Sequence, residues 1–315
     1  DETGLCSLCR AYDGYKDRAA QYFKPLAEFE AIAAGIKARA TGQYDVLALL
    51  SGGKDSTYML YRLVKMGLRV LTFTLDNGFI SQFAKDNIRR VTEALGVDHV
   101  YGATPSMNAI FRDSLHQFAN VCNGCFKTIY TLAAQLARER GITTIVTGLS
   151  RGQFFETRLT EELFTQPHFS VDDIDAGIAQ MRAAYHQQDD VVSRSLQVDM
   201  FRDTGGFGDI AFLDFYRYCD VDLREMYGFL EREGLWQRPP DTGRSTNCLI
   251  NEAGIFVHKR RRGYHNYALP YSWDVRLGHK TREEAVDELN DDIDTARVEQ
   301  MLGEVGYALP ADDAD

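Results

Sequence analysis

Between Gly42 and Tyr216 the chain alternates short apolar runs with longer segments whose apolar positions recur every three or four residues. The runs are Tyr44–Leu50, Leu68–Leu75, His99–Gly102, Ile142–Val146 and Ile210–Tyr216. Their length and their flanking glycines read as buried strands. The intervening periodic segments, Ser56–Met66, Ser81–Leu95, Met107–Phe118 and Phe126–Arg140, and the later Leu223–Glu233, read as helices. Gly67, Gly96 and Gly141 stand where the first, second and fourth of these should stop. Strands alternating with helices predict an α/β fold, a doubly wound, mostly parallel sheet covered on both faces.

Outside that rhythm the signals weaken. Ala19–Ala40 reads as one helix, and residues 151–208 as helical and loop-like with an acidic, Gln-rich middle. From Gly234 the text looks loop-rich until a charged helical stretch at Thr281–Leu302, and Pro310–Asp315 forms an acidic tail. The expected division is an N-terminal Cys module at 1–40, a central domain at 41–235 and a C-terminal extension at 236–315 that completes the site.

Composition narrows the partners. The 315 residues are 44% hydrophobic and 26% charged, which excludes a disordered or collagen-like chain. No apolar run approaches the ~20 residues of a membrane span, and no signal peptide is visible, so a cytoplasmic protein without a membrane partner is expected. The net charge of −11 disfavours a long nucleic acid such as tRNA. One basic cluster, Lys259-Arg-Arg-Arg262, fits a small anionic substrate or a solvated loop. His258 and His265 are candidates to orient such an anion. A homodimer is compatible with everything above.

The strongest chemical signal is Ser51-Gly-Gly-Lys-Asp-Ser56, which follows the first strand and opens the first helix after it. Adjacent glycines let backbone N–H groups turn toward an anion, the helix start adds partial positive charge, and Ser51, Lys54 and Ser56 add donors. The spacing is not that of a Walker loop.

This motif resembles the PP-loop of the N-type ATP pyrophosphatases, or adenine nucleotide α-hydrolases. The resemblance implies cleavage of ATP between its α- and β-phosphates, with AMP passing to a substrate oxygen. It implies a pyrophosphate pocket made by Ser51, Gly52, Gly53, Lys54, Asp55 and Ser56, with Lys54 and Asp55 catalytic and Asp55 helping to hold Mg²⁺. Phe73-Thr-Leu-Asp76 matches the family's adenine-binding strand end, which implicates Thr74 and Asp76. Thr147-Gly148 matches its Thr-Gly motif beside the α-phosphate and ribose. Both segments end parallel strands, where ligands of open α/β sheets bind.

Of six cysteines, four form two CxxC pairs, a pattern of metal or sulfur chemistry in a reducing compartment. Cys122-Asn-Gly-Cys125 opens a helix, a position that favours thiolate and predicts a lowered thiol pKa. Its placement before the Thr-Gly strand resembles the tRNA-thiolating PP-loop enzymes. That resemblance implies Cys122 and Cys125 as catalytic residues and as ligands of a [4Fe–4S] cluster with a third cysteine. Cys219 and Cys248 both stand open for that role; the resemblance favours Cys248, which follows the helix after the last strand as the third cysteine does in those enzymes, whereas Cys219 reads as core.

Cys6 and Cys9 offer half of a tetrahedral Zn²⁺ site. Their surroundings resemble the N-terminal knuckle of the N-acetyl sugar amidotransferase branch, which carries a further CxxC upstream. Either zinc binds with residues ahead of Asp1, or the pair is redox-active or vestigial. The segment from Thr246 to Arg262, with Arg276-Leu-Gly-His279, resembles the same branch. Where that branch carries Gly-Gly-Lys-His, however, this chain has Pro239-Pro-Asp-Thr-Gly243.

The expected activity is ATP-dependent adenylation of a carbonyl or amide oxygen, followed by sulfur insertion as a sulfurtransferase. The alternative is an amidotransferase that delivers ammonia to an N-acetyl sugar. Expected partners are a small anionic substrate or a sugar or carrier-bound acceptor, with a sulfur donor or a separate glutaminase subunit.

Overall fold

The computed structural model describes residues 6–157, 159, 163–164, 170–196, 209–237, 247–290 and 292–309. The calls on 197–208, Pro239–Gly243, Thr246 and Pro310–Asp315 lie outside the described residues.

The elements run α1 (Ser7–Ala20), α2 (Leu26–Arg39), β1 (Val46–Leu49), α3 (Lys54–Lys65), β2 (Val70–Leu75), α4 (Gln82–Leu95) and β3 (Asp98–Gly102). Then come α5 (Met107–Phe118), α6 (Cys122–Glu139), β4 (Thr144–Thr147), α7 (Arg151–Thr157), α8 (Val171–Gln187), α9 (Val191–Leu196) and β5 (Ala211–Asp214). The chain continues through α10 (Leu223–Arg232), α11 (Asn251–Arg262), α12 (Ala268–Arg276), α13 (Arg282–Leu289) and α14 (Thr295–Glu304).

The five strands form one sheet in the order β3-β2-β1-β4-β5, every pair parallel. The chain builds outward from β1 to β3, then returns to β1's other edge to lay down β4. The switch between β1 and β4 opens a crevice at the carboxyl edge of the sheet, where such folds bind ligands.

Successive strand residues feed opposite cores, as the pleat requires. Val46, Ala48 and Leu50 join the core packed by α1, α2, α3 and α10. Leu47, Leu71, Phe73, Leu75 and Ile145 join the other, packed by α5, α6, α11 and α14. Burial on both faces explains why β1, β2 and β4 read as unbroken apolar runs rather than alternating ones, whereas the edge strands β3 and β5 are partly exposed.

The departures from expectation lie outside the sheet. Ala19–Ala40 is not one helix: the chain turns between α1 and α2, and Pro25 caps α2. Proline lacks the N–H a continuing helix needs and disfavours helical backbone at Lys24. The supposedly loop-rich tail holds α11 and α12. In α11, Asn251, Ala253, Gly254, Ile255 and Val257 are all buried, so no polar stripe marks a helical period. The charged stretch is two helices, each with its own cap, Thr281 for α13 and Asp294 for α14. Helix α6 starts at Cys122, a full turn before Phe126.

Candidate active site at the carboxyl edge of the sheet

A cavity of about 340 Å³ opens at the β1–β4 switch. Its floor is the loop Ser51–Ser56. Gly52 takes φ +77°, and a side-chain carbon there would lie 2.5 Å from the Ala84 carbonyl oxygen. Only glycine makes this turn without strain. The Gly52 carbonyl accepts from the Trp236 indole at 3.0 Å and from the Asn87 amide at 3.3 Å, which leaves the loop's N–H groups on the other side. The Ser51 N–H donates to Ser56 Oγ (3.2 Å), the Gly53 N–H to Ser51 Oγ (3.3 Å), and Ser56 Oγ to the Gly53 carbonyl (3.2 Å). Helix α3 begins at Lys54, and Lys54, Asp55 and Ser56 of its first turn, where N–H groups lack partners within the helix, line the cavity.

Lys54 Nζ rests 2.7 Å from Asp55 Oδ2, both side chains about one-quarter exposed. Burial works against the ammonium, but Asp55, Tyr227 and Asp274 outweigh it and raise the lysine's pKa. Lys54 is therefore cationic at any ordinary pH. Asp274, on α12, sits in the same field, and burial pushes its carboxyl up to about 6 against the pull of Lys54, His279 and Lys280.

Thr74 and Thr147 sit at the ends of β2 and β4 and line the cavity with Gly148. The Thr74 hydroxyl donates to the Leu50 carbonyl, and the Thr147 hydroxyl to the Asp214 carboxylate at the end of β5. Gly148 packs on the loop itself, its Cβ position 3.3 Å from Ser56 Cα. Asp76 and Gly52 do not line the cavity. The Asp76 carboxylate accepts from the Gly78 N–H (3.2 Å) and from Lys85 Nζ (2.9 Å), and burial is outweighed by these partners, so its pKa falls. Asp76 shapes the turn that presents Asn77.

Asn77 faces inward. Its amide Nδ2 lies 3.3 Å from Cys248 Sγ and 3.7 Å from Cys125 Sγ, while its Oδ1 accepts from the Phe79 N–H at 2.9 Å. Cys248 is carried there by pairing of its strand-like segment with the chain just after Asn77. Ile80 and Cys248 form an antiparallel bridge, the Ser81 N–H donates to the Asn247 carbonyl, and the Leu249 N–H to the Phe79 carbonyl. Gly254 lets α11 press against α6's start, because a side chain there would meet Val121 Cγ2 at 2.9 Å. Cys122, Cys125 and Cys248 thus line one cavity with the phosphate loop.

The helix start does not lower the Cys125 thiol. Burial raises its pKa, and the neighbouring Cys248 and Cys122 sulfurs raise it further, against the weak pull of Asn77. Burial raises Cys248 as well. Desolvation of a thiolate outweighs the helix dipole here. Cys219 lies in the α3-side core, 4% exposed, and burial lifts it to about 11. It does not line the cavity.

Cys122, Cys125 and Cys248 line the cavity and match a cluster with one open iron in the number and kind of donors. Among the described residues no group of three or more His, Cys, Asp or Glu is placed so that it could hold a metal ion. At the other end of the chain, Cys6 and Cys9 face Arg276, with no third metal ligand beside them among the described residues. Hydrogen bonds within the pair, from the Cys9 backbone first and then its thiol, with Arg276 beside them, lower Cys6 to about 7.

The basic cluster closes α11 and is exposed; Arg261 donates to the Leu115 and His116 carbonyls (2.6 and 3.0 Å), capping α5. His258 Nδ1 lies 3.2 Å from the Ala119 carbonyl, and His265 Nδ1 accepts the Tyr267 N–H. None of these residues lines the cavity. Asn77, Asp274, Trp236 and Asp214 escaped the sequence reading. Asn77 alone had a local signal, in Asp76-Asn-Gly78, and that signal read as a turn.

Residues 41–161 match the family model described as Thiamine biosynthesis protein (ThiI). The chain is 24% identical over 254 residues to an uncharacterized protein of Methanocaldococcus jannaschii, across 79% of this chain and 73% of that one. It is 29% identical over 140 residues to a protein of Methanothermobacter thermautotrophicus named "Probable tRNA sulfurtransferase". That match covers 42% of this chain and 35% of the sulfurtransferase, so the chain spans about a third of that relative. Among solved structures it resembles an NMN synthetase from Francisella tularensis, with a TM-score of 0.41 and 13% identity over 91% of this chain and 98% of that one. No helix among the described residues is long and apolar enough to cross a membrane.

Proposed function

We propose that this chain, a member of the PP-loop superfamily of ATP pyrophosphatases through residues 41–161, adenylates a carbonyl or amide oxygen of its substrate so that sulfur can displace AMP. One observation carries the reading: Cys122, Cys125 and Cys248 share a single cavity with Ser51, Gly53, Lys54, Asp55, Ser56 and Thr147-Gly148.

The first-turn N–H groups of α3 and the Lys54 ammonium hold the pyrophosphate end of ATP as charge builds on it. Asp55 is the carboxylate placed to share Mg²⁺ with the phosphates, and doing so requires it to loosen its contact with Lys54. The close packing of Gly148 on Ser56 keeps the α-phosphate side of the cradle unobstructed. The acceptor oxygen then enters from the thiol side. A [4Fe–4S] group on Cys122, Cys125 and Cys248 would supply an open iron for sulfide. Asn77 orients two of the three sulfurs, and the apolar lining of Phe111, Val121, Ile129 and Phe73 excludes the water that would hydrolyse an adenylate.

The test is product analysis with Lys54→Ala. AMP and pyrophosphate are the expected products of the unsubstituted chain, and the variant should lose their formation by about 10²–10³-fold with its circular dichroism unchanged. Release of ADP and phosphate would overturn the assignment. Turnover with ammonia, unaffected by serine at all three cysteines, would make the enzyme an amidating one.

A further inference from the structure

The first turn of α1 brings Cys6 Sγ and Cys9 Sγ to 3.5 Å. Arg276 Nη2 lies 3.5 Å from the first and 3.2 Å from the second. The rest of that guanidinium is short of acceptors: its Nε and Nη1 are buried without a hydrogen-bond partner, and its plane lies 4.8 Å over Trp273. A guanidinium in this state favours anionic sulfur beside it and opposes a metal dication. Two thiols are half of what zinc requires, and no third ligand joins them among the described residues. Two sulfurs this close, one of them exposed and both beside a guanidinium, are placed for exchange with a disulfide.

We propose that Cys6 and Cys9 form a thiol–disulfide exchange site whose substrate is a low-molecular-weight disulfide, with Cys6 attacking and Cys9 resolving. The roles follow from position. Cys6 is exposed and Cys9 only partly so. Cys6 is also the cap of α1, with extended backbone (φ −74°, ψ 161°), so its side chain can rotate without breaking the helix. The Cys6 thiolate attacks one sulfur of, for example, glutathione disulfide; that S–S bond breaks, and one glutathione leaves as thiolate and takes a proton from water. The Cys9 thiol then gives its proton to solvent, and its sulfur attacks Cys6 and expels the second glutathione. The dithiol has lost two electrons and two protons, and one glutathione disulfide has become two thiols. The sulfurs must close from 3.5 Å to about 2.05 Å, a side-chain rotation rather than a helix movement.

The site touches the sheet's crevice indirectly. Arg276 lies on α12, two residues after Asp274, which stands in the field of Lys54. Tyr12 of α1 packs edge-on against Trp273 of the same helix at 5.3 Å. The inference is independent of the ATP chemistry, and so is its test.

The full chain is reduced, desalted and incubated with glutathione disulfide, then mapped by peptide mass spectrometry. The expected product is a Cys6–Cys9 disulfide, with Cys122, Cys125, Cys219 and Cys248 still thiols. Cys9→Ser should stop at glutathione on Cys6, and Cys6→Ser should slow glutathione incorporation at least about tenfold. Arg276→Gln should slow trapping on Cys6 about tenfold, and Arg276→Lys should recover part of the rate. If Arg276→Gln does not fold, the same dependence is read from the Cys9→Ser chain as a loss of trapping rate in high salt. Equal trapping rates with and without Cys6, or oxidation confined to the cavity cysteines, would overturn the proposal. So would stoichiometric zinc retained by the reduced chain and released by Cys6→Ser.

Discussion

The two CxxC pairs of this chain share a spacing and a place at the start of a helix, yet their surroundings drive them apart. Cys125 is enclosed with Cys122 and Cys248, and burial raises its pKa. Cys6 is exposed, bonded by Cys9 and Arg276, and lowered to about 7. The helix dipole is common to both, so it does not decide the outcome. Desolvation and the nearest charge do. A cavity thiol that stays protonated until a metal or sulfur species takes its proton suits a ligand; a surface thiolate suits exchange.

Alkylation breaks or sharpens this contrast most strongly. At pH 7 iodoacetamide should modify Cys6 about a hundredfold faster than Cys125, as read by peptide mass spectrometry. The Cys6 rate should climb through pH 7 and level off above it, because its thiolate fraction saturates there. Equal rates would mean that enclosure does not control these thiols.

Part of this contrast was legible in the sequence. Ser51–Ser56, Thr147-Gly148 and Cys122–Cys125 are local, each readable from neighbours in the chain and from the strand or helix it bounds. The inner strands β1, β2 and β4 were legible because burial on both faces leaves continuous apolar text. The direction of the Cys125 shift was not legible, since it comes first from burial in the folded cavity and then from Cys248, 123 positions away in the chain and delivered by pairing with Ile80. Trp236 reaches the Gly52 carbonyl across a separation of 184 residues, and no periodicity encodes such a contact. Helix α11 was missed for the same reason: enclosure by several neighbours erases the one-sided stripe that reveals a helix.

Asn77 tests how the cavity holds its thiols. Its amide is a side-chain partner of both Cys248 and Cys125, so Asn77→Ala should weaken retention of iron against a chelator about tenfold. It should leave the alkylation rate of Cys6 unchanged. Loss of reactivity at both pairs together would show a general collapse instead.

The smallest expected effect concerns α12, which touches both regions. Asp274 rises from its ordinary 3.8 to about 6 on folding, through burial. Between those values the folded chain holds a proton that the unfolded chain has lost, so this group's contribution to stability is complete below about pH 4 and is lost as pH rises through 6. Asp274→Asn should flatten that part of the pH dependence of the urea midpoint. An unchanged slope would place the carboxyl in water.

The most direct test of the central claim, that the phosphate loop and a three-cysteine centre share one cavity for one reaction, is anaerobic iron and sulfide analysis of single serine variants. Iron and labile sulfide should be bound by the unsubstituted chain and by Cys219→Ser, and lost from Cys122→Ser, Cys125→Ser and Cys248→Ser. Iron that persists in Cys248→Ser but disappears from Cys219→Ser would contradict the account.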